Sequence, residues 1–419
     1  MTEIPAAPQN NATAFSISKL SLSNFRNYDD LSLEINDKPV VITGPNGSGK
    51  TNILEAISFL SPGRGLRGVK LDEVDRKVGI GDWGSGIEER AGYEGAGDKA
   101  YPNPKSRIPN SSPWAISAKI TSANDTVQIG TGRDVSSNAN KRIVKIDGEL
   151  IRSQAELANA FSVMWLTPQM DGLFLAPSSE RRKFLDRLVY NFNPEHASLV
   201  YSYEYVVRER AKLLQENGDA SWISVLETKM AEKAVAIAVA RVDAINIIQD
   251  AVYIAPTAFP KAGLKVDGYV ESLIGTAPAL EIEELLKKKI RDCRSEDARA
   301  GRTNIGTHRS DFCVTHIQKN MPAQFCSTGE QKALLLTIII AEARAKAMWK
   351  NNIPVLLLDE VVAHLDINRR NALFEEFLAM GAQVWMTGTD SILFAELQGK
   401  AQFLEIYGGK VRYANYPNC

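Results

Sequence analysis

Gly44-Pro45-Asn46-Gly47-Ser48-Gly49-Lys50-Thr51 fits the phosphate-loop pattern G-x-x-x-x-G-K-[ST] at every position. Glycines at this spacing let backbone N–H groups close around phosphate oxygens without Cβ clashes. Lys50 is expected to reach the β- and γ-phosphates of a nucleoside triphosphate, and the Thr51 hydroxyl to ligate Mg2+. Far downstream, Leu356-Leu357-Leu358-Asp359-Glu360 is an apolar run that ends in two acids. Beside a phosphate loop, Asp359 is expected to hold Mg2+ through its water shell. Glu360 is then placed to orient or deprotonate the attacking water. Lys50 and Glu360 are the catalytic candidates.

These residues need elements to hold them. Val40-Val41-Ile42 is a β-branched run that reads as a buried strand. Ile53, Leu54, Ala56, Ile57 and Leu60 follow at helical spacing, and the start of that helix offers its positive dipole end to the same anion. Phe15 to Leu33 alternates apolar and polar residues and reads as a hairpin feeding the strand. Trp114–Ile120, Thr126–Ile129 and Arg142–Ile146 read as short strands, with a turn at Asp147-Gly148. Pro354 to Leu358 has the fully apolar pattern of a central parallel strand, and Val384-Trp385-Met386 is the next candidate.

Between these halves the pattern turns helical. Ser179–Tyr190 is charged and amphipathic. Trp222, Leu226, Met230, Ala234, Ile237, Ala244 and Ile248 share one helical face, with Arg241 the exception, over roughly 40 Å of helix. Leu285, Leu286 and Ile290 mark another helix. The expected organisation is therefore a disordered extension at 1–15, an ATPase head over 16–177 with an insertion at 79–113, a helical lobe at 178–298 and the rest of the head at 299–419. The fold class is α/β.

Composition narrows the class. Hydrophobic content of 44% and charged content of 24% are ordinary for a globular protein. The net charge is −1, so attraction to nucleic acid must come from local patches. Candidates are Arg181-Arg182-Lys183 with Arg187, and Lys287-Lys288-Lys289 with Arg291. Cys293, Cys313, Cys326 and Cys419 form no C-x-x-C pair, as expected of a reducing, cytoplasmic setting. The longest mainly apolar run, Ala333 to Ala341, is too short to span a bilayer, and no membrane role is expected. The four histidines lack metal spacing and read as packing or surface residues.

Ser327-Thr328-Gly329-Glu330-Gln331 opens a helix upstream of the acidic strand. A serine hydroxyl, a glycine N–H and a helix start make an anion site. This run resembles the signature motif of ABC-type ATPases. The resemblance implies that Ser327, Gly329, Glu330 and Gln331 meet the γ-phosphate of nucleotide held by a second subunit. His364-Leu365-Asp366 sits at the place of the D-loop, and Met386 to Asp390 at that of the switch histidine, with no histidine present.

The run Leu22 to Tyr28 (LSNFRNY), the phosphate loop through Ile57, Pro168 through Asp186, Gly301 to Phe312, the signature and Pro354 to Asp366 together resemble the RecF family of bacterial DNA replication and repair proteins. Three features depart from that family: Thr307-His308-Arg309-Ser310-Asp311, the Asp359-Glu360 pair and the insertion after Gly79. The resemblance implies an ABC-type head like those of SMC proteins, with an inserted helical lobe. It implies an ATP-dependent homodimer that hydrolyses ATP slowly with Mg2+ and binds gapped DNA at single-strand/double-strand junctions. With RecO and RecR such proteins help load RecA, in recombinational gap repair and the SOS response. It also implies that Asn24, Arg26 and Asn27 line the α-phosphate and sugar, that Gln169 is the Q-loop glutamine near nucleotide and metal, and that Arg64 or Arg67 reaches the γ-phosphate. Long-armed SMC-like tethers and end-processing ATPases are the alternative class, but no sustained heptads or zinc hook are present. Transporter ATPase subunits normally carry the switch histidine that this chain lacks.

Overall fold

The computed structural model describes residues 12–76, 113–122, 125–134, 141–151, 153–254 and 258–414. The expected insertion at 79–113 lies almost wholly outside them. The central sheet has the order β16 (Lys410–Ala414), β15 (Gln402–Tyr407), β3 (Val40–Thr43), β14 (Val384–Gly388), β13 (Val355–Leu358) and β8 (Val163–Leu166). All neighbours are parallel except β15 and β16. β3, β13 and β14 are buried throughout, as strands covered on both faces must be.

A second sheet has the order β12 (Asn352–Ile353), β1 (Thr13–Phe25), β4 (Ala115–Ser122), β5 (Asp125–Asp134), β6 (Lys141–Ile146) and β7 (Glu149–Leu150). β2 (Tyr28–Glu34) pairs with β1 as the expected hairpin. β1 begins at Thr13, inside the stretch 1–15 expected to be disordered, because Thr13 and Ala14 pair with Asn352 and Ile353. Such a partner, more than three hundred residues away, leaves no local signal.

Strand alternation divides the head into two cores. Val40, Ile42, Val355, Leu357, Trp385 and Leu404 face the second sheet, with α1 (Lys50–Ser58) and α2 (Gln154–Ala160) on the same side. Val41, Leu356, Leu358, Val384 and Met386 face α8 (Thr328–Lys350) and α9 (Ile367–Met380).

The middle of the chain departs from the expected lobe. α3 (Ser178–Tyr190) packs Phe184, Leu185, Leu188 and Val189 into the head core. The segment also contains β9 (Ala262–Asp267), which pairs with β10 (Asp311–His316), itself paired with β11 (Met321–Pro322). The lobe core is built from α4 (His196–Gln215), the first half of α5 (Ala220–Ile254) and α6 (Ala279–Asp292), with α7 (Arg294–Ala300) against α4. At 35 residues α5 is about 52 Å long, and its second half lies in the head core. The expected stripe on it starts at Ile223, not Trp222, which is 52% exposed. Leu285 is likewise exposed, one position off the buried face of α6.

Arg241 sits in the α5 stripe because it is paired, not solvated. It is 3% exposed. Its guanidinium donates to both oxygens of Asp186 at 2.9 and 3.0 Å, to Glu271 at 3.2 Å and to the Thr307 carbonyl at 2.8 Å. Among the described residues no helix is long and apolar enough to cross a membrane.

Candidate functional site

β3 delivers the phosphate loop to the carboxyl end of the parallel strands, where open α/β sheets bind ligands. Two glycines there are structural requirements. A Cβ on Gly44 would stand 2.3 Å from the Ile406 carbonyl oxygen, and one on Gly49 (φ +108) 2.4 Å from Asn27 Nδ2. The Lys50 ammonium turns back onto the carbonyls of Gly44 at 2.7 Å and Pro45 at 2.9 Å. Burial pushes its pKa down, and Glu360 and Asp359 push it back up. The Ser48 hydroxyl is buried in the same loop and has no hydrogen-bond partner among the described residues. An orphan hydroxyl beside an ammonium held only by carbonyls fits a phosphate chain.

α1 then carries Thr51 to Asp359. The Thr51 hydroxyl donates to the two Asp359 oxygens at 2.9 and 3.0 Å. Hydroxyl and carboxylate oxygens are the donor set that Mg2+ takes, so these two residues could hold the metal. Glu360 follows at the end of β13 with φ +53, a left-handed conformation that a non-glycine residue holds only when its surroundings fix it. Thr387 supplies that fixing. Its hydroxyl donates to Asp359 Oδ1 at 2.7 Å and accepts the Glu360 N–H at 2.9 Å. Thr387 is 1% exposed at the end of β14, in the stretch without a switch histidine. One threonine thus sets both acids.

The turn between β1 and β2 clamps the loop from the side. Asn24 and Arg26 both have positive φ, which tightens the turn. The Asn27 amide donates to the Ser48 carbonyl at 3.2 Å and accepts from Asn52 at 2.7 Å, while the Tyr28 hydroxyl donates to the Gly49 carbonyl at 3.2 Å. Arg26 does not face the loop. It forks onto fully buried Glu55 at 2.9 and 2.6 Å, and Arg67 adds a third bond at 2.7 Å. Arg26 and Arg67 thus share the single Glu55 carboxylate, and only Arg64 of the two arginines after α1 is exposed. Glu55 was detectable as an acid inside the apolar Ile53–Ile57 run, but its partners were not.

The signature residues open α8. Ser327 caps it by accepting the Glu330 N–H at 3.4 Å, and Glu330 accepts the Ser327 N–H at 3.0 Å in a capping box. Lys319 pairs with the Glu330 carboxylate and holds its pKa low, ahead of the Ser327 bonds. Gln331 is buried and donates to the Cys326 carbonyl at 2.9 Å, so its amide braces the turn from inside. Gly329 is exposed, and a Cβ there would meet nothing within 4 Å. Ser327, although bonded to Glu330, is exposed on the turn together with Gly329, whereas the Gln331 amide faces inward. Gln169 is exposed on the 3-10 turn Pro168–Met170 after β8. That segment is tied to the start of α8 by Asp171 and Lys332 at 2.8 Å.

The first basic cluster is not a surface patch. Arg181 forks onto Asp311 at 2.7 and 2.5 Å, Arg182 donates to the Ser310 carbonyl at 2.7 Å, and Lys183 pairs with Glu180. Arg187 lies over the rings of Trp165 at 4.9 Å and Phe184 at 5.1 Å. In the second cluster Lys287 approaches Glu284 at 3.5 Å, while Lys288, Lys289 and Arg291 are exposed on α6. His308 is bonded to Tyr203 and to the Thr303 carbonyl, each at 2.9 Å, as a packing histidine. Among the described residues no group of three or more His, Cys, Asp or Glu is placed to hold a metal, and Cys293, Cys313 and Cys326 are free thiols.

A family described as AAA domain matches residues 19–186. The chain is 40% identical over 398 residues to the DNA replication and repair protein RecF of Mesorhizobium japonicum, covering 94% of this chain and 97% of the relative. It is 42% identical over 397 residues to RecF of Allorhizobium ampelinum, with the same coverage. Its fold matches a solved structure of the recombination mediator protein RecF-ATPrS in the RecFOR pathway with a TM-score of 0.77 at 21% identity, covering 97% of this chain and all of the other. A RecF-ATP structure of the same pathway matches at 0.75.

Proposed function

The chain belongs to the RecF family of DNA replication and repair proteins, and on that premise we propose that it is a slow ATPase that binds DNA under the control of ATP. It uses Mg2+, dimerises when ATP is bound, and engages single-strand/double-strand junctions in gapped DNA. It works with RecO and RecR to load RecA in recombinational repair and the SOS response, within the cytoplasm. Gly44 to Thr51 hold the phosphates, with Asn27 bracing the loop, and Gln169 approaches nucleotide and metal. Thr51 and Asp359 hold Mg2+. Glu360 orients the water. Ser327 and Gly329 receive the γ-phosphate held by the other subunit.

The observation that carries this reading is the chain of bonds from Thr51 through Asp359 and Thr387 to Glu360. It joins phosphate loop and acidic strand across more than three hundred residues, and the loop also carries a buried Ser48 hydroxyl with no partner among the described residues.

The test is binding to gapped duplex across a salt series, with and without ATP. Binding is expected only with ATP, weakening with salt at a log–log slope of about −0.9 per phosphate neutralised. Replacing Lys288, Lys289 and Arg291 with glutamate is expected to flatten the slope by about 2–3 and to weaken all sequences alike. Equal binding with and without ATP would overturn the reading. A native slope in the charge-reversed variant would move the DNA path away from α6.

A further inference from the structure

Lys319 lies at the tip of the β10–β11 hairpin, shortly ahead of Ser327 in the chain. The tip is anchored on both sides. The Ile317 N–H donates to the Lys261 carbonyl at 3.0 Å, and the Gln318 side-chain oxygen accepts the Lys261 N–H at 3.1 Å. Asn320 turns the chain back with φ +46. β11 and the 3-10 turn Ala323–Phe325 then lead into Ser327. From this fixed tip the Lys319 ammonium donates to Glu330 Oε1, on the signature turn itself.

Glu330 uses its two carboxylate oxygens differently. Oε1 takes the Lys319 ammonium. Oε2 accepts the Ser327 N–H and the Ser327 hydroxyl, each at 3.0 Å. A serine hydroxyl has one proton, and here it points at Glu330. A phosphate oxygen set on Ser327 needs that same proton. It would also stand within roughly 6 Å of Glu330 Oε2, two hydrogen-bond lengths away. When the hydroxyl turns to the phosphate, Oε2 therefore loses a donor and gains an anionic neighbour, and like charges that close repel. The Lys319 ammonium answers both losses. Among the described residues it is the cation within ion-pair distance of that carboxylate. Lys332, two residues beyond Glu330 on α8, is held by Asp171 at 2.8 Å.

We propose that Lys319 is a positioning residue for the signature turn: it compensates the Glu330 carboxylate and so frees the Ser327 hydroxyl to donate to the γ-phosphate held by a second copy of this chain. Lys319 acts in this way only if a second copy brings its γ-phosphate to Ser327, as in the dimer proposed above. The Lys319 side chain is half exposed, and exposed ion pairs add little to stability. The pair therefore acts on assembly and not on folding.

Sedimentation of the full chain across a range of protein concentrations, at saturating ATP and Mg2+, tests this. Lys319→Met is expected to keep the native melting temperature and the monomer's affinity for ATP, and to weaken the ATP-bound dimer at least about tenfold. Lys319→Arg keeps the charge and should dimerise as the native chain does. Glu330→Gln removes the carboxylate charge and keeps a side-chain acceptor for the cap. In that background Lys319→Met should weaken the dimer by less than about threefold. The defect of Lys319→Met alone should also shrink as salt rises, because salt screens the repulsion. A lysine that only braced the hairpin would show neither the rescue nor the salt effect. The proposal is overturned if the Lys319→Met chain dimerises as tightly as the native chain, or if its defect is equal in the native and Glu330→Gln backgrounds. A native chain that stays monomeric with ATP would instead defeat the dimer itself, and this role with it.

Discussion

Thr387 shows how one hydroxyl can set a catalytic pair. It holds Asp359 from one side and the Glu360 backbone from the other, and so fixes a left-handed glutamate at the end of a strand. Thr387→Val keeps the shape and removes both bonds. ATP binding is expected to persist while phosphate release falls about tenfold or more. Glu360→Gln keeps the backbone and removes the base, so it should bind ATP and lose hydrolysis by about 10²-fold or more. Lys50→Met should instead lose nucleotide affinity. Filter binding and phosphate release on the three variants separate these outcomes. Native turnover in Glu360→Gln would remove it from the chemistry.

Glu342 gives a pH signature at the same scale. Its carboxyl titrates near 4.5 in the unfolded chain and is raised to about 7 by burial. Between those values the folded chain binds the extra proton, so this contribution is full below pH 4.5 and is lost as pH rises through about 7. The melting temperature of the native chain should therefore fall relative to Glu342→Gln across that window. Parallel curves would show that Glu342 titrates normally.

At the scale of elements, α5 is the member whose role was least legible. Its stripe was readable from spacing, yet the stripe crosses two cores, and only contacts can reveal the change of neighbour. Arg241 marks the crossing. Arg241→Met would leave Asp186 and Glu271 buried without their cation and should cost about 3–5 kcal/mol, read as a lowered denaturant midpoint. Asp186→Asn in the same chain should recover part of it. A midpoint unchanged in Arg241→Met would show the network to be dispensable. The phosphate loop and the acidic strand were legible because their chemistry is contiguous in sequence. The arginines of α3 were misread for the opposite reason. A charge run looks the same whether its partners are solvent or, as with Asp311, lie 130 residues away.

At the scale of the molecule, the exposed Ser327 and Gly329 are the test of assembly. Ser327→Arg puts a bulky cation on the open turn that the other subunit's nucleotide would fill. Light scattering should find that ATP converts native chain from monomer to dimer and leaves the variant monomeric, with its ATP affinity retained. A native chain of the same mass with and without ATP would sink the dimer.

The place of β3 also has a consequence for synthesis. Both of its neighbours, Val384–Gly388 and Gln402–Tyr407, are translated more than three hundred residues after it. At roughly 5–20 residues per second, Val40 to Thr43 wait about 20–70 s on the ribosome before either flank exists. Through that interval an apolar β-branched segment followed by a glycine loop is unpaired. The phosphate loop is made long before its strand is secured on either side. A nascent chain halted before β14 carries every residue of the loop and neither of the strands that flank β3.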